Sequence, residues 1–324
     1  TAPETPLLNC PLDGGAYAAT AVYLDQIGVK PDQVSAIVAS HWHDDHVKGI
    51  ADLANKYPTA EFSLSAVFDD NEAAAFLAAY SGYAADRLTR GTAELAQVLA
   101  SRTTTYALKH RSVILETTAS GRDVRVTSLS PVDSAFAKMR AHFASYIPGA
   151  GAAINRAPAA LSPNMEAVVI HVDLGDDAIL LGSDLEDDAT LGWTALLSDG
   201  WAGKRRKSSA FKVAHHGSIS GHCDGTWKNL LEALPTASIT PFINGGLRLP
   251  TDEDVKRIKS HSGSSFITSG TSKRSPMDSK QVQRLKDICK EVSVLNAGFG
   301  AVRLRKKKGD ASWKHELFGT AIAL

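Results

Sequence analysis

Residues 40–50, SHWHDDHVKGI, constrain this chain more than any other stretch. Four side chains in it can bind metal: His41, His43, Asp45 and His46. An apolar, β-branched run over 34–39 leads into them, and Gly49 with an apolar helical pattern follows. The pattern predicts a strand-to-helix turn. On a strand that is ending, residues two apart point the same way, so His41 and His43 can grip one ion. Asp45 and His46 lie past the turn, approach from another direction, and suit a second ion nearby. Imidazole with carboxylate oxygen suits zinc, manganese or iron rather than calcium. The plainer reading is a polar, histidine-rich surface loop. The position of His-x-His-x-Asp-His at the end of a buried strand favours the metal.

The rest of the composition sets broad bounds. With 324 residues, 44% of them apolar, the chain has ample material for a core. It is read as a single domain over 1–324, although two ordinary domains would also fit the length. Basic and acidic residues balance at 35 each, so net charge alone points to no polyanionic partner. No stretch approaches the roughly 18 apolar residues of a membrane span. The start, TAPETPLLN, lacks the basic and apolar regions of a signal peptide. Three scattered cysteines, Cys10, Cys223 and Cys289, form no CxxC and read as reduced thiols, which gives a cytoplasmic expectation.

Periodicity and turn residues predict the elements in order. A helix over 16–27 is stopped by Gly28 and Pro31. Helices follow over 47–57, 70–80 and 92–100, with a strand over 61–65. Strands over 112–116 and 123–129 meet at Gly121, and a helix opened by Pro131 runs to about residue 146. A long loop occupies 148–163. Strands over 167–172 and 178–181 flank the turn Gly175-Asp176-Asp177, and the second ends in Gly182-Ser183-Asp184-Leu185-Glu186. Asp184 there reads either as a metal ligand or as a helix N-cap. A strand over 211–214 runs into His215-His216-Gly217-Ser218. Continued alternation would put Phe211, Val213 and His215 on one face. A helix over 226–233, a strand over 237–242, a loop over 244–250 and a helix over 251–260 capped by Thr251 come next. A strand over 265–268, a helix over 279–290 and strands near Val292, Ala301 and Trp313 complete the chain. Two rounds of strand-helix alternation suit two βα halves forming one sandwich.

The succession HWHDDH (41–46), SLSP (128–131), Asn164, GSDLE (182–186), KVAHHGS (212–218) and LPT (249–251) resembles the metallo-β-lactamase-fold hydrolases. Within them it is similar to the hydrolase domain of the DNA-uptake protein ComEC and its soluble relatives. The resemblance implies an αββα sandwich with metals at one edge, between the sheets. It implies two divalent ions, zinc or manganese, or only one. Asp184 would bridge them, and His215 would be the ligand of the second if its face looks between the sheets. His216 would then stand beside the metal as a proton donor, although the two histidines could trade roles or form a buried structural pair. His222 could reach back into the site or lie on the surface.

Three departures stand out. Asn9 replaces the aspartate of the related Asp-Ser-Cys-Leu-Asp pattern. Asn164 stands where many members have a third histidine. The superfamily's last histidine, near Arg248-Leu249-Pro250, is missing, and His222 is its candidate replacement. The family also begins with about two further strands. The expectation is that the natural chain is longer, or that an N-terminal segment or another protein chain supplies them.

The chemistry implied is hydrolysis, with Asp45 orienting water and taking its proton and His216 or water protonating the leaving group. The ComEC resemblance favours phosphodiesters, hence nucleic acid. Lys204, Arg205, Arg206 and Lys207, with a second run at Arg303, Arg305 and Lys306–Lys308, suit a phosphate backbone. Their plainer reading is a solvated loop and a charged hairpin tip. Two alternatives stay open: hydrolysis of a small ester, lactone or phosphoester, and a regulatory module with a partly decayed metal site.

Overall fold

The computed structural model describes residues 19–68, 90–102, 106–108, 110–119, 121–146, 163–244, 247–269, 284 and 300–324. The features expected over 7–15, 70–80, 148–162 and 279–292 lie outside these residues, Arg284 apart, as do Asn9, Cys10 and Cys289.

The described strands are β1 (Ala36–Ala39), β2 (Glu61–Ser65), β3 (Tyr106–Leu108), β4 (Val113–Ala119), β5 (Arg122–Ser128), β6 (Ile170–Asp173), β7 (Ala178–Leu181), β8 (Ser208–Lys212), β9 (Leu231–Ile239), β10 (Phe242–Asn244), β11 (Leu247–Leu249), β12 (Ser264–Ile267), β13 (Gly300–Arg305), β14 (Lys314–Gly319) and β15 (Ile322–Ala323). The α-helices are α1 (Ala19–Gln26), α2 (Asp44–Val47), α3 (Ile50–Lys56), α4 (Arg90–Ser101), α5 (Asp133–Tyr146), α6 (Trp193–Leu197), α7 (Asp224–Asn229) and α8 (Asp252–His261). None is long and apolar enough to cross a membrane.

Two sheets face each other. The small one is parallel, in the order β1-β2-β3. The large one runs β15-β12-β9-β8-β7-β6-β5-β4, with β7, β8, β9 and β12 parallel and antiparallel strands on both flanks. Alternation along β1 shows the layering. Ile37 and Ala39 pack outward with Ile50, Ala54, Leu95 and Val98 of α3 and α4. Ala36 and Val38 point the other way, onto Ile114, Val126 and Ile170 of the large sheet. The large sheet's outer face, with Leu180, Phe211, Ala237 and Ile267, is covered by Trp193, Trp227 and Ile258 of α6, α7 and α8. The order is therefore helices, sheet, sheet, helices: an αββα sandwich, the architecture that the resemblance implies.

Among the departures from expectation, two put a strand where a helix or a loop was expected. The helix predicted over 226–233 ends at Asn229, and Leu231 already belongs to β9, where it pairs with Ser208 and is buried. The loop predicted over 244–250 contains β11, which pairs antiparallel with β10 from Phe242↔Leu249 to Asn244↔Leu247.

Candidate metal centre

The centre lies where β1, β7 and β8 all end, at the seam between the sheets. After β1 the chain turns through residues 40–43 into α2. His41 is buried, and its Nε2 lies 3.1 Å from His43 Nδ1. Trp42 between them points away and supplies the hydrogen-bond donor facing the buried Glu166. The Ser40 backbone carbonyl accepts a hydrogen bond from Val168 N (3.0 Å), stitching this turn to the other layer. Gly49, with φ +88°, opens α3 and has no side chain to cap it. Glu94 of α4 does so instead, its Oε2 accepting from Gly49 N (2.6 Å) and Ala51 N (3.5 Å), where a carboxylate meets the positive end of the helix.

The large sheet supplies the rest. Gly182 lets β7 and β8 approach closely, because a Cβ there would stand 2.9 Å from the Ala214 backbone nitrogen. Ser183 then takes a left-handed φ of +48° and Asp184 follows, buried. Beyond β8, His215 and His216 are both left-handed (φ +45° and +55°). Non-glycine residues held there carry backbone strain, which is common where a site fixes them. Two hydrogen bonds brace this loop: His215 N to Ser183 O (2.9 Å), and Arg257 Nη2 to Gly217 O (2.7 Å). Arg257 is itself paired with Asp254, which shares a capping box with Thr251. SLSP is likewise structural: Ser130 Oγ donates to Ala167 O and accepts from Val169 N.

These elements form two donor groups that share one residue. His41, His43 and Asp184 make the first; Asp45, His46, Asp184 and His216 make the second. Within each, the donor atoms lie within 4.8 Å of one another. His46 Nε2 is 3.1 Å from Asp184 Oδ2, and His216 Nε2 is 3.1 Å from Asp45 Oδ2 and 3.3 Å from Asp184 Oδ2.

His215 lies outside both donor groups and His216 lies in the second, the exchange of roles that the sequence left open. The strand ends at Lys212 and the left-handed turn breaks alternation, so His216 enters the group. His215 is turned aside, with Nδ1 2.8 Å from Ser220 Oγ and 3.6 Å from Glu186 Oε1. Asn164 joins it there, donating to Glu186 Oε1 (2.6 Å) with His215 Nε2 at 3.3 Å. His222 does not reach the centre. It forms a separate group with Asp224 and His261, and its Nδ1 accepts from Trp227 Nε1. Lys204, Arg205, Arg206 and Lys207 precede β8, whereas His216 follows it, so they stand at the opposite end of that strand from the centre.

The residues present fit divalent cations. His216 Nδ1 faces the Thr240 carbonyl at 3.0 Å, which can only accept, so Nδ1 carries the proton and Nε2 is aimed at the carboxylates. Burial pushes His41 well below the usual histidine value and also lowers His43, leaving both as neutral imidazoles with a lone pair to offer. Burial alone would raise Asp184, but hydrogen bonds from His216 and His46 outweigh it and keep the carboxyl ionised. Asp45 is likewise lowered against its burial, by His216 and His46. For His216, burial disfavours the charged form, yet Asp184 and Asp45 raise it to about 9. Two carboxylates thus converge on one imidazolium, whose proton holds the place a cation would take.

Sequence reasoning missed Lys212. Phe211 and Val213 pack in the outer core, so Lys212 points inward, within electrostatic reach of Asp184 and Asp45. Burial lowers its pKa while the two carboxylates oppose the shift. A lysine between two core residues of a strand was the available signal. Glu94 and Arg257 carried no comparable signal, because their roles depend on tertiary contacts.

A comparison with curated proteins returns no match. Residues 10–68, which span α1, β1, the His41–His46 turn, α3 and β2, match the family model of the metallo-beta-lactamase superfamily.

Proposed function

We propose that this chain is a metal-dependent hydrolase of phosphodiesters, with nucleic acid as the substrate class, as in the ComEC-like branch it resembles. The observation that carries the reading is the pair of donor groups sharing Asp184 at the seam. His41 and His43 would hold one divalent ion, Asp45, His46 and His216 a second, and Asp184 both. Zinc or manganese suits this donor set. Bound there, divalent ions lower the pKa of water towards neutrality and polarise the scissile group.

The chain's own groups divide the remaining work. Asp45 is the most exposed member, its side chain 36% accessible, so it meets incoming water and orients it. Lys212 sets a positive charge beside the two carboxylates, which suits an anionic substrate better than a neutral ester. His215, fixed by Ser220 and Glu186 next to the centre, takes the proton-donor position first given to His216. One observation favours a smaller apolar substrate. Phe242 stacks 4.9 Å from His216, and the exposed Leu247 lies on the same face of the β10–β11 hairpin.

The test is cleavage of labelled DNA and RNA beside a panel of carboxylic esters and lactones, with manganese or zinc added and metal content measured. Nucleic-acid cleavage by the parent, with at least a hundredfold loss in Asp184→Asn, is expected. Turnover of esters alone with metal bound would move the assignment to the small-substrate reading. An absence of both metal and turnover would leave a regulatory module.

A further inference from the structure

The two basic runs are almost a hundred residues apart in sequence, yet the fold joins them. The β13–β14 hairpin crosses the inner side of the large sheet, with His315 4.5 Å from the Phe266 ring. Its turn is pinned at the starting ends of β7 and β8. Lys306 Nζ pairs with the buried Asp177 at 2.6 Å, Asp177 accepts from Ser209 Oγ, and Trp313 Nε1 donates to that same Ser209 oxygen at 2.8 Å. Ser209 lies two residues from Lys207. The hairpin turn and the segment 204–207 therefore share one end of the sheet.

Charge at this end is uneven. Arg303 is matched by Glu316, Lys306 by Asp177 and Arg206 by Asp173. Lys307, Lys308 and Lys314 are exposed and pair with no carboxylate among the described residues. Arg305, Lys306, Lys307 and Lys314 line, with Trp313 and the carboxylates of Asp310 and Glu316, a cavity of about 800 Å³ between hairpin and sheet, and Lys308 follows Lys307 on the turn beside it. The side of Trp201 in front of the other run carries Arg205 at 4.4 Å and Arg111 at 5.3 Å. A concavity rich in cations with one indole in its wall, and a second indole under cations at the neighbouring run, offer what a single-stranded polynucleotide uses, phosphate pairing and base stacking. A bilayer surface would instead meet a flat face.

We propose that the end of the large sheet opposite the metal centre is a separate binding surface for single-stranded nucleic acid, built from Arg305, Lys307, Lys308, Lys314 and Trp313 and extended by Lys204 and Arg205. The five residues of β8 alone set it roughly 15 Å or more from His216. The surface binds without metal. Only its use in presenting strands for cleavage rests on the function proposed above.

The experiment is fluorescence anisotropy of a labelled oligothymidylate over a salt series, with phosphatidylserine vesicles in parallel. It compares the parent, Lys307→Glu/Lys308→Glu, Asp184→Asn, and the charge-matched control Lys256→Glu/Lys259→Glu on exposed positions of α8. Binding weakened about tenfold by Lys307→Glu/Lys308→Glu, with a log–log salt slope shallower by about 1.4, is expected. The control and Asp184→Asn should bind like the parent. Equal loss in the control, no loss in Lys307→Glu/Lys308→Glu, or binding to vesicles but not to the oligonucleotide would each overturn the proposal. The two readings fail separately. Binding at this end without cleavage of any nucleic acid removes the proposed function and leaves the surface. Cleavage with unaltered binding in Lys307→Glu/Lys308→Glu does the reverse.

Discussion

Asp184 is the residue on which the centre turns, because it alone belongs to both donor groups. Asp184→Asn is therefore expected to abolish binding of both ions, whereas His216→Ala should spare the His41–His43 group. Calorimetric titration with manganese or zinc separates the two, and two equal sites in either variant would refute the shared role. Glu166 makes a different prediction. It is fully buried, and burial raises its pKa well above the ordinary carboxyl value despite the Trp42 donor. The folded chain thus holds the proton more tightly than the unfolded one. Its contribution to stability is complete below about pH 4.5 and declines as pH rises towards the raised folded value. The unfolding free energy of the parent, measured by denaturant titration, should fall relative to Glu166→Gln across that window, with a slope of at most about 1.4 kcal/mol per pH unit. A pH-independent difference would sink the assignment. At this scale the local spacing of His41, His43, Asp45 and His46 was readable, because a strand end and the next helical turn place them. The choice between His215 and His216 was not, since it depends on a left-handed turn that alternation cannot foresee.

The elements behave similarly. The strands Glu61–Ser65 and Ala178–Leu181 have the boundaries their sequences suggest, because apolar alternation and flanking turns are local signals. The helix over 226–233 failed at Leu230-Leu231, where pairing with β8 overrode helical propensity. LPT was only a supporting motif in sequence. In the fold it starts α8, whose Arg257, paired with Asp254, donates to the Gly217 carbonyl. Arg257→Met should cost about 2 kcal/mol of stability, the scale of hydrogen bonds to a charged group. It should also weaken the second metal more than the first, since the loop it braces carries His216 and not His41 or His43. Equal loss at both sites in a titration would show that Arg257 acts only on global stability.

For the whole molecule, the sequence pattern pointed to a sandwich because strands and helices alternate in two halves. It could not show that Lys204–Lys207 stand away from the centre, since that follows from the direction of β8. The centre draws residues 41–46 from the small sheet and Asp184 and His216 from the large one. Ligands that bind only the folded state raise its stability by about 2.7 kcal/mol at a concentration a hundredfold above Kd. Chelation should therefore lower the melting temperature of the parent by several degrees and leave Asp184→Asn unchanged. A parent indifferent to chelator would argue that the cluster takes no ion.

The seam has a further consequence. Behind the centre, Val38, Ile114, Val168 and Ile170 close the sheets together with apolar contact. At its mouth, Asp45 and Asp184 face each other from opposite layers with the His216 proton between them. The molecule is built like a book, with an oily spine and an open edge latched by positive charge. Stripping that charge leaves two anions pressing the covers apart. An ion that leaves hands the latch back to the His216 proton, so hydrogen exchange at the Val168 amide, which donates to Ser40 O, is expected to stay slow after metal departure and to quicken only as pH rises past about 9.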